Sequence, residues 1–455
     1  MSDDLIASTN KKSLYKKRDK IYTRVIAGRS QLIRVAVATL VYGAFFLLPW
    51  INIGDRPAVH FDLAARQFHI LWLTFWPQDF VYLAWLLIIA AFALFFFTTV
   101  AGRLWCGFAC PQTIWTLAFM WVEQKIEGSP NHRRQLDKSP WSAGKIGKKA
   151  GKHAIWLVMA LLTGATFVSY FYPARELWSD ALAWQLPLVA GFWVGVFTWL
   201  TYVDAAWLRE QVCIYMCPYA RFQSVMYDQD TLLVSYDADK GEPRGSLKEA
   251  GHGQCIDCYM CVQVCPTGID IRDGVQISCI NCALCVDACD EVMQSIGKPS
   301  DLIRFTTLNA LENKQPTHLL RPRSIGYALV LLIMLGLLAS QLWQRTSLET
   351  SIVRDRDHIY RQLANGDAAN DYWVKLANKS QQVQQYRIRL EKDGYRLHPD
   401  EVITVQPGET LEHNLMISTG KQQQGSQNLT LDILSETDGS LQGQLETRFV
   451  HPPAR

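Results

Sequence analysis

A chain of 455 residues with a formal charge of +3 has no bulk charge to draw it to nucleic acid, and its length allows about three domains. Its 49% hydrophobic content, with 16 Trp and 19 Phe, is unevenly spread, because several windows are long, apolar and almost uncharged. The 12 cysteines are not a secreted disulfide framework: eight fall in two closely spaced runs and four in two further pairs.

Residues 1–31 are polar and basic, with Lys11, Lys12, Lys16, Lys17, Arg18, Lys20, Arg24 and Arg29. They read as a cytoplasmic tail beside anionic lipid. Residues 32–53 form the first predicted span, whose single charge, Arg34, is near enough to the end to snorkel. The run is longer than a signal-peptide core and no small-residue cleavage site follows it, so it reads as a retained anchor. Further spans are expected at 80–102, 154–172, 186–203 and 326–343, each near the roughly 20 residues that a bilayer core requires. Gly191 and Gly195 make a GxxxG in the fourth, a spacing that permits close helix contact.

Loop charge sets the expected orientation. The loops at 54–79 and 173–185 carry only Arg56, Arg66 and Arg175 as basic residues. Residues 103–153 carry Arg103, Lys125, Arg133, Arg134, Lys138, Lys145, Lys148, Lys149 and Lys152, and the fourth connection ends at Arg321 and Arg323. The expectation is a multi-pass membrane protein, with its amino terminus and the 231–325 loop inside and residues 344–455 outside.

Just after the second and fourth spans come Cys106-Gly107-Phe108-Ala109-Cys110-Pro111 and Cys213-Ile214-Tyr215-Met216-Cys217-Pro218. The repeat of hairpin, CxxxCP, hairpin, CxxxCP within residues 32–230 reads as an internal duplication. An i,i+4 spacing would put both thiols of a pair on one helix face. If the hairpins pack together, Cys106, Cys110, Cys213 and Cys217 converge into a soft site suited to Cu(I) or a further iron–sulfur cluster. The apolar aromatic text at 114–122 and 222–227 suggests helices that hold the pairs at the membrane surface.

Residues 231–325 hold the two dense runs. The first is Cys255, Cys258, Cys261 and Cys265, followed by Pro266; the second is Cys279, Cys282, Cys285 and Cys289. Two-residue gaps let one loop aim three thiolates at a cubane, while the fourth thiolate of each run, on a short helix, reaches the other cluster. This assigns Cys255, Cys258, Cys261 and Cys289 to one [4Fe-4S] cluster and Cys265, Cys279, Cys282 and Cys285 to a second. Zinc ribbons use two CxxC pairs rather than runs of three. Asp290 stands where the first run has Pro266, which alters the exit turn and removes no ligand.

Residues 348–366 are charged and read as a helix or linker. Alternating stretches at 372–376, 386–390, 402–405, 429–433 and 447–450, separated by Asp393-Gly394, Pro407-Gly408 and Asp438-Gly439, predict a small β-sandwich. His60, His69, His132 and His153 show no pairing pattern and read as ordinary polar residues. No GxGxxG or GxxxxGKS is present, so a nucleotide is not the expected electron source.

These stretches resemble the cytochrome c oxidase accessory protein family known as CcoG, FixG or RdxA. The match runs through Asp19-Lys20-Ile21-Tyr22, Phe61-Asp62-Leu63-Ala64-Ala65-Arg66, Phe75-Trp76-Pro77-Gln78-Asp79-Phe80 and Gly102-Arg103-Leu104-Trp105-Cys106. It continues through Glu210-Gln211-Val212-Cys213, Met216-Cys217-Pro218-Tyr219-Ala220-Arg221-Phe222-Gln223, both cysteine runs and Asp301-Leu302-Ile303-Arg304-Phe305. The resemblance implies a protein of the bacterial inner membrane, with five membrane helices, a cytoplasmic bacterial-type two-cluster ferredoxin domain and a periplasmic immunoglobulin-like domain. It also implies reduction of Cu(II) to Cu(I) for assembly of a cbb-type oxidase, with copper-transport and oxidase-assembly proteins as partners. The rival readings are an electron-transfer module that oxidises quinol, since CxxxCP also occurs in membrane ferredoxins of such systems, and an assembly scaffold without turnover.

Overall fold

The computed structural model describes residues 20–452 except 55, 249–250, 319, 356–357, 365 and 421–424; Lys11, Lys12, Lys16, Lys17 and Arg18 lie outside the described residues. In chain order the helices are α1 Arg29–Leu47, α2 Phe80–Ala101, α3 Leu104–Phe108, α4 Pro111–Glu127, α5 Pro130–Lys138, α6 Ala143–Val168 and α7 Ala174–Leu182. They continue as α8 Leu188–Tyr202, α9 Pro218–Met226, α10 Ala238–Gly241, α11 Met260–Gln263, α12 Leu284–Ser295, α13 Leu308–Glu312 and α14 Pro322–Trp343.

Five segments are long and apolar enough to cross a membrane: Arg29–Trp50, Phe80–Ala101, Ala143–Val168, Leu188–Leu208 and Pro322–Trp343. The chain is therefore a multi-pass membrane protein. The third helix starts at Ala143 rather than near residue 154. Hydropathy ends where the lysines begin, but the helix does not, because those lysines find partners. Lys149 and Lys152 pair with Glu127 at 2.8 and 2.7 Å, and Lys145 donates to the Ser139 carbonyl at 2.6 Å. The close crossing of α6 and α8 also differs from expectation. A Cβ on Gly195 would meet nothing within 4 Å, whereas one on Gly164 would lie 2.8 Å from the Val194 carbonyl. The small residue that lets the two backbones approach is on α6, not in the GxxxG.

Contacts divide the chain into two units, with boundaries inside α2 and α14: residues 1–50 with 90–331, and residues 51–89 with 332–455. In the first unit, α11 and α12 pack with an antiparallel pair of strands, Leu233–Tyr236 and Ile303–Thr306. Val234, Tyr236, Met293, Leu302 and Ile303 form the buried core there.

In the second unit, residues 348–450 form an immunoglobulin-like β-sandwich. One sheet orders Tyr395–His398, Thr410–Thr419, Ala368–Asn378 and Leu348–Arg354; the other orders Val402–Val405, Gln384–Leu390, Ser426–Ser435 and Leu441–Val450. Each alternating stretch of the sequence lies in one of these strands. The stretch at 348–366 is not helical: Leu348–Arg354 is an edge strand with inward residues alternating with outward ones. Glu349 on its outward side and Arg354 in its inward set hid that period. Tyr372, Val374, Tyr386, Ile417, Leu431 and Phe449 fill the core.

The segment before α2 packs into this same unit. Trp76 lies over Gly408, where any Cβ would overlap the indole ring, and its Nε1 donates to the Lys379 carbonyl at 3.1 Å. Beside it, the buried Asp79 carboxylate receives Arg345 at 2.5 Å and Lys379 at 3.0 Å.

Candidate iron–sulfur and thiol site

The two cysteine runs wind alike. Asp257 and Tyr259 flank Cys258 with φ of 54° and 56°, and Asn281 and Ala283 flank Cys282 with φ of 54° and 57°. Left-handed residues on both sides of the middle cysteine curl successive backbone N–H groups into a concavity that suits an anionic centre. Such angles are uncommon for residues other than glycine, and here they recur at equivalent places.

Two cavities open between the runs, each with about 350 Å³ of atom-free space. One is lined by Cys255, Cys258, Cys261 and Cys289, the other by Cys265, Cys279, Cys282 and Cys285 with Cys261 between them. Cys285 and Cys289 lie on α12. Cys265 does not lie on a helix, because α11 stops at Gln263 and Pro266 follows. Proline disfavours the helical conformation in the residue before it. With Asp290 in the equivalent place, α12 runs on to Ser295.

The thiols favour a cationic occupant. Burial, then the neighbouring thiols, pushes Cys289 up to about 12 and Cys285 well above its ordinary value. Burial pushes Cys261 and Cys279 up to about 12 as well, although Arg272 eases Cys261 and the Asn281 N–H eases Cys279. Alone, Cys261, Cys279, Cys285 and Cys289 would stay protonated near neutral pH; an iron–sulfur core would supply the positive charge that keeps them as thiolates. Arg272 fixes the wall of the first cavity, paired with Asp257 at 2.5 Å and Asp270 at 2.6 Å and stacked over Tyr259 at 4.2 Å.

The two CxxxCP turns meet in the same unit. The pairs do not share one α-helical face. Cys106 is on α3, which ends at Phe108, and Cys110 is the extended N-cap of α4. Cys213 lies in a π-helical turn, Val212–Met216, and Cys217 is the extended N-cap of α9. The cause is again proline: Pro111 and Pro218 open new helices and push the preceding cysteine out of the helical region. All four thiols nonetheless feel one another. Burial, then Cys110 with smaller effects of Cys213 and Cys217, raises Cys106 to about 12; burial, then Cys110 and Cys217, raises Cys213 to about 12. Cys110 is raised by burial and by Cys217.

This thiol group abuts the second cavity. A Cβ on Gly107 would come within 2.7 Å of the Ile280 carbonyl and 2.9 Å of the Cys282 Cα. Cys106 packs on the cluster of buried residues that includes Ile280, Cys282 and Leu284. Arg103, 2% exposed, donates to the Ile277 and Cys279 carbonyls of the second run and to the Ala220 carbonyl just beyond Cys217. Arg34 of α1 donates to the Gly107 carbonyl at 3.0 Å. Gln112 reaches the Arg209 carbonyl at 3.0 Å and so ties one CxxxCP turn to the other. The sequence reading gave Gly107 no role, took Arg103 as a loop charge and expected Arg34 to snorkel, whereas Arg34 is buried on the Gly107 carbonyl; one available signal was a glycine inside the first CxxxC where the second has Ile214.

Among the described residues, no three or more His, Cys, Asp or Glu side chains are drawn in tightly enough to hold a single metal ion. The histidines make polar contacts: His132 Nδ1 to the Glu127 carbonyl at 2.6 Å, His153 Nδ1 to the Tyr202 hydroxyl at 2.7 Å and His69 Nδ1 to Thr74 at 2.9 Å. His60 lies parallel to His69 across the hairpin, with centroids 6.3 Å apart.

The chain matches family models for a 4Fe-4S binding domain at residues 83–127, a 4Fe-4S dicluster domain at 208–308 and the IG-like fold at the C-terminus of FixG at 338–452. It is 37% identical to Protein RdxB of Cereibacter sphaeroides over 91% of each chain. It is 38% identical to nitrogen fixation protein FixG of Rhizobium meliloti, covering 80% of this chain and 78% of that one. It is also 38% identical to Protein RdxA of Cereibacter sphaeroides, over 83% of each.

Proposed function

The chain belongs to the FixG/RdxA family, and from that premise we propose that it reduces Cu(II) to Cu(I) at Cys106, Cys110, Cys213 and Cys217 in copper delivery to a cbb-type cytochrome c oxidase. The coarser description, a membrane-bound iron–sulfur electron-transfer protein, follows from the family and its 4Fe-4S domains. One observation supports the finer reading: the turn that carries Cys106 and Cys110 lies directly against the backbone of the loop that carries Cys279 and Cys282, with Gly107 as the contact.

Cys255, Cys258, Cys261 and Cys289 would hold one [4Fe-4S] cluster, and Cys265, Cys279, Cys282 and Cys285 the other. Bound there, each cluster supplies a store for one electron. The chain's own residues do the rest. Gly107 keeps the thiol turn in van der Waals contact with the second run, and Arg103 locks both segments to one guanidinium. Cupric ion is the substrate and takes one electron. Thiolates prefer the soft cuprous product, which draws the reduction forward, and Cu(I) is held by as few as two of them. Loop charge supports a cytoplasmic face for the clusters and their electron donor, and a periplasmic face for residues 344–455. Oxidase-assembly and copper-transport proteins are the proposed partners.

The test is a Cys106→Ser, Cys213→Ser double variant, purified without oxygen. Iron, sulfide and the electron paramagnetic resonance of both clusters should be unchanged while copper binding and cupric reduction are lost. Unchanged copper reduction would remove these thiols from the mechanism.

A further inference from the structure

We propose that Asp204 sets the oxidation-state preference of the thiol site: its carboxylate favours the cupric substrate over the cuprous product and so keeps Cu(I) from being trapped on the thiolates. The inference rests on the proposed function, because it concerns how the product of that reaction is released.

Asp204 is the only aspartate or glutamate in the five membrane-spanning segments. A carboxylate at such depth is costly, and those that occur face the interior of the bundle and mark ion or proton chemistry. Asp204 is half-buried in a π-helical turn, Val203–Leu208, that continues α8. Such turns are found mostly at functional sites. The next residue, Ala205, is fully buried with Phe119 and Val122 of α4. The turn is therefore fixed on the helix that begins right after Cys110.

One side chain joins Asp204 to the thiol turns. Gln112, two residues after Cys110, donates from Nε2 to the Arg209 carbonyl at 3.0 Å, and its amide also bonds the Asp204 side chain. Among the described residues no cation neutralises this carboxylate. Arg209, the nearest in sequence, gives its guanidinium to Glu123 at 3.0 Å and only its backbone N–H to the Asp204 carbonyl, at 2.8 Å. The Asp204 charge is felt at Cys110 and at Cys213, one thiol from each CxxxCP turn. Arg103 acts in the opposite sense, on Cys106 and Cys213.

Charge fixes the sign of the effect. Cu(II) on a given set of thiolates takes one electron, which the proposed function draws from the cluster, and becomes Cu(I) on the same thiolates. Substrate and product share those ligands, so thiol protons displaced on binding drop out of the difference. The complex loses one positive charge beside a fixed negative one, and the negative charge opposes that loss. A half-buried site screens the interaction less than water does. Thiolates pull the other way, because sulfur prefers the cuprous ion. Unopposed, they would retain the product. Asp204 offsets part of that preference and leaves Cu(I) transferable.

The experiment loads the full chain with copper in the absence of oxygen and follows the Cu(II) electron paramagnetic resonance signal through a redox titration. Asp204→Asn keeps a side chain that Gln112 can bond and removes the charge. It should raise the midpoint potential of the bound copper by about 59 mV, a ten-fold shift from Cu(II) towards Cu(I). Cu(I) should also pass more slowly from this variant to bathocuproine disulfonate. Asp204→Glu, which keeps the charge, should behave as the parent does. Iron content and melting temperature report that each variant is folded and loaded. An unchanged or lowered potential in Asp204→Asn, or an equal rise in Asp204→Glu, would overturn the role. If the potential stays put while the chain still reduces copper, Asp204 is the wrong residue and the proposed function stands. If the potential rises in Asp204→Asn but reduced clusters do not reduce copper, the role of Asp204 stands and the proposed function is wrong.

Discussion

Asp287 caps the first membrane helix: its carboxylate accepts the backbone N–H of Gln31 at 2.9 Å, and that of Ser30 at 3.1 Å. Asp287 sits on α12 between Cys285 and Cys289, so the helix that lines both thiol cavities also caps α1. The approach is close enough that a Cβ on Gly28 would overlap the Asp287 side chain.

Removing this cap should cost about 1 kcal/mol, the usual worth of a side-chain N-cap. Asp287→Ala should therefore lower the melting temperature modestly and raise hydrogen exchange at residues 29–32. Gly28→Ala should do more, because the carboxylate must leave. Equal exchange in parent and Asp287→Ala would show that the cap contributes nothing.

Copper binding should depend on pH. Burial, then the neighbouring thiols, pushes Cys106 and Cys213 up to about 12, so near neutral pH both are protonated and copper must displace their protons. Cu(I) affinity should rise with pH by about ten-fold per unit for each proton released. Competition with a cuprous chelator at several pH values measures the slope. Arg103 lowers both thiols, so Arg103→Gln should weaken copper binding at every pH. A flat profile would mean that the thiols are already ionised.

The buried ion cluster at the base of α4 predicts an acid response. Burial opposes ionisation of Glu123, but Arg209, Lys20, Lys152 and Arg133 outweigh it and hold its carboxyl down to about 2. With the folded value depressed below the ordinary 4.5, its contribution is fully present above that value and is lost as pH falls towards about 2. Glu123→Gln leaves buried cations without their carboxylate and should cost about 3–5 kcal/mol at neutral pH. Denaturant unfolding at pH 7 and pH 3 should show the deficit shrinking with acid.

Asp79 predicts a local effect in the second unit. Asp79→Asn leaves Arg345 without a carboxylate and Lys379 with Glu349 alone, at 2.8 Å, and should cost about 3 kcal/mol. Limited proteolysis should cleave more quickly near residues 345–380, while the iron–sulfur spectrum stays as in the parent. Unchanged cleavage would show that the three charges do not hold this region.

The sequence alone determined whatever is set by short covalent spacing or by local period. Two-residue gaps pointed to two cysteine quartets, and two cavities are lined by those quartets. Apolar run length announced the five spans, and alternation announced most of the sandwich strands. Charge misled twice for one reason: hydropathy prices a lysine or a glutamate as if it were alone, so the start of α6 and the edge strand at residue 348 were missed. Only the tertiary structure brought Cys106 and Cys110 to Cys213 and Cys217, laid Gly107 against Cys282, and set Asp287 on α1. Those contacts join residues from about 100 to more than 250 positions apart, and at that range it is packing of whole elements, not spacing along the chain, that decides which atoms meet.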